Sequence, residues 1–202
     1  MKYLIIAFVM VIGSAFTLAP TNNTVQTYTI DIENSKVFWT GKKIGGSHTG
    51  TIDIKLGTII VQDNSVVSTS LIIDMKTIKD EDGNQKLEGH LRSDDFFSVK
   101  NFPEASLVTK RFIEIPGTGV GENNYNVLAD LTIKGITNEV SFPVRIYERR
   151  GILVVEGGLT FDRSKYGVRF GSTSFFDNLG NHAISNDVEL RFSLLANKKT
   201  VN

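Results

Sequence analysis

The feature that most constrains this chain is a period-2 alternation of apolar and polar side chains, repeated in segment after segment. A helix cannot present such a pattern on one face because its repeat is 3.6 residues, whereas a half-buried strand of an antiparallel sheet presents it naturally. The alternation begins at 27–32 and resumes at 36–43, where Val37 and Trp39 share a face. It continues through 49–61 with Ile52, Ile54 and Leu56, interrupted at Gly57 in the manner of a bulge or bend, and through Val67, Thr69, Leu71 and Ile73. Further runs occupy 106–115, 125–134, 139–148, 152–162 and 187–195. Turn-forming clusters such as Glu33-Asn34-Ser35, Gly45-Gly46-Ser47 and Asp63-Asn64-Ser65 separate the early runs. About nine strand-like runs in one chain make an all-β, antiparallel domain, and periodicity alone leaves a sandwich and a closed barrel equally open. A barrel of about eight strands has room inside for one small ligand.

Two stretches break the rhythm. Residues 76–100 are charged and carry Leu87, Leu91 and the pair Phe96-Phe97, which fits a short helix lying over the sheet. Residues 163–186 are rich in Gly, Ser and Asn yet contain Tyr166, Phe170, Phe175 and Phe176, an aromatic loop rather than a linker.

At the N-terminus, Met1-Lys2 followed by the uncharged, apolar stretch Tyr3 to Leu18 has the form of a secretory signal peptide. The stretch falls slightly short of the ~20 residues a spanning helix needs, so removal of residues 1–19 is expected over retention as an anchor. That leaves about 180 residues, one domain by size, with its barrel expected over 25–197. A periplasmic or secreted location follows. Cysteine is absent, which excludes disulfides, thiolate metal sites and N-terminal cysteine lipidation. The 22 basic and 22 acidic residues balance, giving neither an electrostatic footprint for nucleic acid nor a polybasic face for anionic lipid.

Several blocks carry a resemblance to a known family. They are Asp31 to Trp39 leading to Gly50-x-Ile52, then Leu87-Glu88-Gly89-His90-Leu91-Arg92-Ser93-Asp94-Asp95-Phe96-Phe97 with Asn101-Phe102-Pro103. Ala129 to Thr137 with Val140-Ser141-Phe142-Pro143-Val144 follows, and Leu159-Thr160-Phe161-Asp162-Arg163-Ser164-x-Tyr166-Gly167 closes with Asp187 to Leu190. From Tyr28 to Leu195 the chain resembles the YceI-like family of lipocalin-like, polyisoprenoid-binding proteins. The resemblance implies a lipocalin-like eight-stranded antiparallel β-barrel with a short helical segment. It also implies a long isoprenoid or related amphiphile in the lumen. Many members have His before the early Ser and near the end of the next strand; here Asn34 and Lys43 stand there, which puts a head-group role at those positions in doubt.

Burying hydrocarbon is worth about 0.8 kcal/mol per methylene before ordering costs, so a lumen lined by apolar side chains that fail to fill it suffices for binding. The candidates on consistent faces are Trp39, Ile52, Ile54, Leu71, Ile73, Leu107, Val127, Leu131, Phe142, Val144, Val155, Leu159, Phe161, Leu190 and Phe192, with Phe170 from the aromatic loop. A packed core would use the same residues. Phe96-Phe97 and Phe102-Pro103 either seal the helix on the barrel or form a lid, and the aromatic loop either closes a cavity or caps the core. Asp162-Arg163-Ser164 with Tyr166 reads as a turn containing an ion pair.

Only His48, His90 and His182 are available as histidine ligands, and none is spaced for a chelate, so no metal or cofactor is expected. No nucleophile elbow, phosphate loop or zinc-helix motif occurs. The expectation is a non-enzymatic lipid carrier or sequestering protein of the cell envelope, with isoprenoid, quinone and fatty-acid-like ligands all fitting and a homodimer left open. An enzyme acting on an amphiphile in the same cavity, through His90 with Asp94 or Asp95, is the alternative.

Overall fold

The computed structural model describes residues 24–199; the expected leader at 1–19 lies outside the described residues. Nine strands form one sheet: β1 (Val25–Ile30), β2 (Lys36–Lys43), β3 (Gly46–Gln62), β4 (Ser65–Asp80), β5 (Glu104–Glu114), β6 (Tyr125–Ile133), β7 (Ile136–Arg149), β8 (Ile152–Asp162) and β9 (Ile184–Lys198). From β2 to β9 each strand pairs antiparallel with the next, and β9 returns to pair with β2. This closes an eight-stranded up-and-down barrel with no free edge.

The ninth strand takes no ninth position. β1 pairs with Thr58–Gln62 of β3 and with Ala196–Lys198 of β9, while β2 pairs with the other halves of the same two strands. The two therefore act as one barrel strand interrupted at Asp31–Ser35. Buried Ser35 repairs the interruption, its hydroxyl accepting the Leu195 N–H at 3.0 Å and facing the Leu195 carbonyl at 3.4 Å.

The alternation holds along most strands but is reset at bulges. In β3 the register shifts between Ile54 and Leu56, so Lys55 is the extra residue; Gly57, Ile59 and Val61 point inward and Leu56 is turned out to solvent. A second shift in the β3–β4 pair buries Val66 and exposes Val67. Both Leu56 and Val67 thus face opposite to what a continuous period of two predicts. Gly57 needs its missing side chain, since a Cβ there would lie 2.6 Å from Leu71 and 2.7 Å from Ile30.

Within 76–100 the helix is short, α1 (Gln85–Arg92). Asn84 caps it by accepting the Leu87 N–H at 3.1 Å, and the Asp80 carboxylate accepts the Asn84 N–H at 3.2 Å. Glu88 accepts the Asp80 N–H at 3.2 Å and Arg92 donates to the Ile78 carbonyl at 3.0 Å. These bonds fasten α1 to the last residues of β4, over one end of the barrel.

Candidate ligand-binding site

Two apolar chambers lie along the inside of the barrel. The inner one has a volume of about 120 Å³. Ile52, Leu71 and Ile73 of β3 and β4 line it, with Leu107, Val127 and Leu131 of β5 and β6. Phe142 and Val144 of β7, Val155 and Leu159 of β8, and Leu190 and Phe192 of β9 are the other expected residues that line it. Phe142 and Phe192 meet edge to face at 6.0 Å and narrow the space between them. Thr69, Ser106 and Thr109 are its polar lining residues, and the Thr109 hydroxyl is taken up by the β4 backbone: it accepts the Thr69 N–H at 2.7 Å and lies 3.3 Å from the Thr69 carbonyl.

Val37, Met75, Phe112 and Leu194 also line this chamber and were not among the sequence candidates. Val37 and Leu194 stand two residues from Trp39 and Phe192 on the same faces, so strict alternation could have found them. Phe112 could not be found that way. The β5–β6 register shifts between Thr109 and Arg111, and the extra residue brings Phe112 inward while Ile113 is exposed.

The outer chamber, about 250 Å³, lies between the barrel end and α1. Trp39, Ile78 and Val188 form the barrel side; Leu87, His90, Leu91, Phe96 and Phe97 form the helix side. Trp39 is held across the barrel wall by its indole N–H, which donates to the Lys79 carbonyl at 3.1 Å. Phe96 and Phe97 are both buried, so they seal α1 on the barrel and furnish chamber wall at once. Phe102 is partly exposed and lies beside Gly135, away from either chamber. Ile54 and Phe161 are buried but line neither chamber; Phe161 packs edge-on against Tyr166 at 5.6 Å.

Arg163 also reaches the outer chamber, and the ion pair expected for it is replaced by another arrangement. Its buried guanidinium donates to the carbonyls of Ser185 at 2.9 Å, Ile184 at 3.1 Å and Val168 at 3.2 Å. The Asp162 carboxylate instead accepts the Ser164 N–H at 2.8 Å and its hydroxyl at 2.6 Å, capping a 3-10 turn over Arg163–Tyr166. Burial lowers the Arg163 pKa from its ordinary value and raises that of the Tyr166 phenol. The carbonyl cage fixes the loop after β8 onto the start of β9, which is where the chamber wall needs rigidity.

Lys43 and His48 stand at the rim of the outer chamber. His48 Nδ1 lies 3.4 Å from the buried Asp80 carboxylate. His90 Nε2 lies 3.5 Å from Asp95 at the surface, while Asp94 is engaged by the Ser98 hydroxyl at 2.5 Å. The His90 ring is wedged edge-on between Phe96 at 4.9 Å and Phe170 at 4.5 Å. Asn34 lies in the exposed turn between β1 and β2, bonded to Asp31, and lines no chamber. Of Asn34 and Lys43, the two positions at which the family resemblance leads one to expect histidine, only Lys43 reaches the mouth. Among the described residues, no group of three or more His, Cys, Asp or Glu side chains is placed to hold a metal.

Outside the outer chamber an open groove of about 700 Å³ runs past Phe170, Phe176, Arg169 and His182, sharing Lys43 and Ile184 with the chamber wall. Phe170 thus belongs to this groove rather than to the lumen.

A closed antiparallel barrel that keeps apolar space along its axis is a lipocalin-like architecture. The YceI-like domain matches residues 28–196, and the chain belongs to that family. A UPF0312 protein of Staphylococcus aureus is 36% identical over 99 residues, covering 43% of this chain and 49% of its own, so the chain spans about half the length of that relative. Among solved structures, BcnA of Burkholderia cenocepacia superposes with a TM-score of 0.66 at 22% identity, over 82% of this chain and 98% of its own. A polyisoprenoid-binding domain from Saccharophagus degradans superposes with a TM-score of 0.61 at 19% identity, over 85% and 98%. At these identities the likeness is one of fold.

Proposed function

We propose that this protein binds one long-chain amphiphile, isoprenoid, quinone or fatty-acid-like, and serves as a carrier or sequestering protein in the periplasm or outside the cell, without acting on its ligand chemically. The observation that carries this reading is the inner chamber: apolar side chains from β2 to β9 face a space they do not fill, and only Thr69, Ser106 and Thr109 interrupt that lining, the Thr109 hydroxyl being hydrogen-bonded to backbone. Such a space offers nothing to water and much to hydrocarbon. The tail lies in the inner chamber and the head toward Lys43 and His48, the polar groups at the outer rim. The polyisoprenoid-binding domain of like fold and the leader-like Tyr3–Leu18 stretch support ligand class and location. A non-catalytic role is supported by His90, which meets a surface carboxylate and two phenylalanine rings instead of a nucleophile.

The test is mass spectrometry of an organic extract from protein purified under non-denaturing conditions. A co-purifying amphiphile near one per chain is expected. Recovery of none, together with failure to take up isoprenoid alcohols, quinones and fatty acids offered in turn, would overturn the proposal.

A further inference from the structure

The segment after the 3-10 turn holds three phenylalanines in the open: Phe170 is 43% exposed, Phe175 41% and Phe176 49%. They are not there because the loop is loose. Ser172, fully buried, anchors it: its carbonyl accepts the N–H groups of both Phe175 and Phe176 at 3.1 Å, and its hydroxyl accepts that of Ser174 at 3.2 Å. The Ile184 N–H donates to the Gly171 carbonyl at 2.8 Å, and Asn186 donates to Ser174 at 2.7 Å, tying the loop to β9. A hydrogen-bonded loop that holds aromatic rings outward displays them.

Phe170 and Phe176 border the groove that shares Lys43 and Ile184 with the outer chamber, Phe175 precedes Phe176 in the same loop, and Phe170 touches His90 in the chamber wall. Arg169 stacks over the Phe175 ring at 4.9 Å, and Lys43 lies alongside. Against these two cations stand Asp94 and Asp95 in the groove and exposed Asp177 in the loop, so the lip carries no cationic excess. Aromatic rings displayed at the edge of an apolar opening match a bilayer interface, where rings enter the acyl boundary. A second copy of the chain fits less well. Three rings exposed to this extent present roughly 300 Å², against the roughly 800 Å² per partner of a stable interface.

We infer that the Arg169–Leu179 loop is a docking lip that seats the mouth of the barrel on a phospholipid surface, so that an amphiphile passes between bilayer and outer chamber without crossing water. This rests on the proposed ligand class for its purpose, but its test is separate.

The test is flotation of the full chain with vesicles of phosphatidylcholine, and of phosphatidylcholine mixed equally with phosphatidylglycerol. It is run beside the double variant Phe175→Ser/Phe176→Ser, with bound lipid and oligomeric size measured on both proteins. The wild type is expected to float with either vesicle, the rings rather than charge carrying the binding. The variant should bind at least about tenfold more weakly while keeping its fold, size and bound lipid, because membrane affinity follows buried apolar area. Three results overturn the inference: a wild type that floats with neither vesicle, a variant that floats as well as the wild type, or a wild-type dimer that the variant turns into a monomer. A wild type that floats in this ring-dependent way yet neither carries nor takes up lipid supports the docking lip and counts instead against the carrier reading.

Discussion

Replacing Gly50 by alanine is the sharpest probe of how the barrel wall and the outer chamber depend on one another. Gly50 pairs with Trp39 across β2 and β3, and the indole crosses above it to reach the Lys79 carbonyl. A Cβ at Gly50 would stand 1.8 Å from that carbonyl oxygen and 2.6 and 2.7 Å from the indole carbons Cζ2 and Cε2. No side-chain rotation relieves a clash with backbone, so β3 must separate from β4 or the indole must swing away. Overpacking of this kind costs about 1–3 kcal/mol, and loss of the indole hydrogen bond adds about 1 kcal/mol, so the variant should be less stable by about 2–4 kcal/mol. Trp39 is the only tryptophan in the chain, so its fluorescence follows the event directly. Urea denaturation should show a lowered midpoint, native emission should shift to longer wavelength, and less lipid should be retained. Trp39→Phe separates the terms: it keeps a ring in the wall and lacks the N–H, and should lose only about 1 kcal/mol. A Gly50→Ala protein with wild-type midpoint and emission would refute the placement of the indole across this glycine.

Val155→Phe projects a ring into the inner chamber of about 120 Å³. It should change stability by about 1 kcal/mol or less while shortening the longest lipid tail recovered by mass spectrometry. Ser35→Ala removes the partner of the Leu195 N–H at the break between β1 and β2 and should lower stability by about 1–3 kcal/mol, read as a shift in urea midpoint. Asn34 donates to Asp31 at 2.9 Å through its side chain and 3.2 Å through its backbone, holding the Asp31 carboxyl below its ordinary value of 3.8. A depressed folded pKa gives stability that is fully present above 3.8 and is lost as pH falls through the folded value. Asn34→Ala should therefore lose less stability than wild type between neutral pH and about pH 3, measured by denaturation midpoints at both.

Alternation read along the chain finds the strands because one face of each is buried and the other wet, and the physics of a half-buried sheet leaves that record in the sequence. It fails where one residue is inserted. Lys55, Val67 and Lys110 are ordinary residues, yet each marks a place where two residues oppose one and every later side chain changes face. That is why Leu56 and Val67 point to solvent and why Phe112 enters the lumen unannounced. The outer chamber was hidden for a different reason: it is made by α1 and Phe96-Phe97 folding back over Trp39 and Val188, and contacts so distant in sequence leave no periodic trace. Arg163 shows the limit of reading neighbours as partners. Asp162 precedes it in the chain but is used as a cap, and the guanidinium finds three carbonyls from the loop and β9 instead.

The register breaks carry a consequence for what the lumen can hold. A backbone N–H left unpaired beside an apolar chamber would draw water to it or lose about 1–3 kcal/mol. At three irregularities a side-chain hydroxyl takes the vacant place: Ser35 for Leu195, Thr109 for Thr69, and Thr77 for Asp53 at 2.8 Å. The first lies where one barrel strand is broken in two, the second at the β5 bulge, and the third where β3 and β4 lose register beside α1. Bulges bend the strands around a barrel, and the hydroxyls let them do so without leaving these donors unpaired. At Thr69 and Thr109, which line the inner chamber, the residue that accommodates the bend also spares the lumen an unpaired donor, whereas the Ser35 and Thr77 bonds serve the strand break and the outer surface.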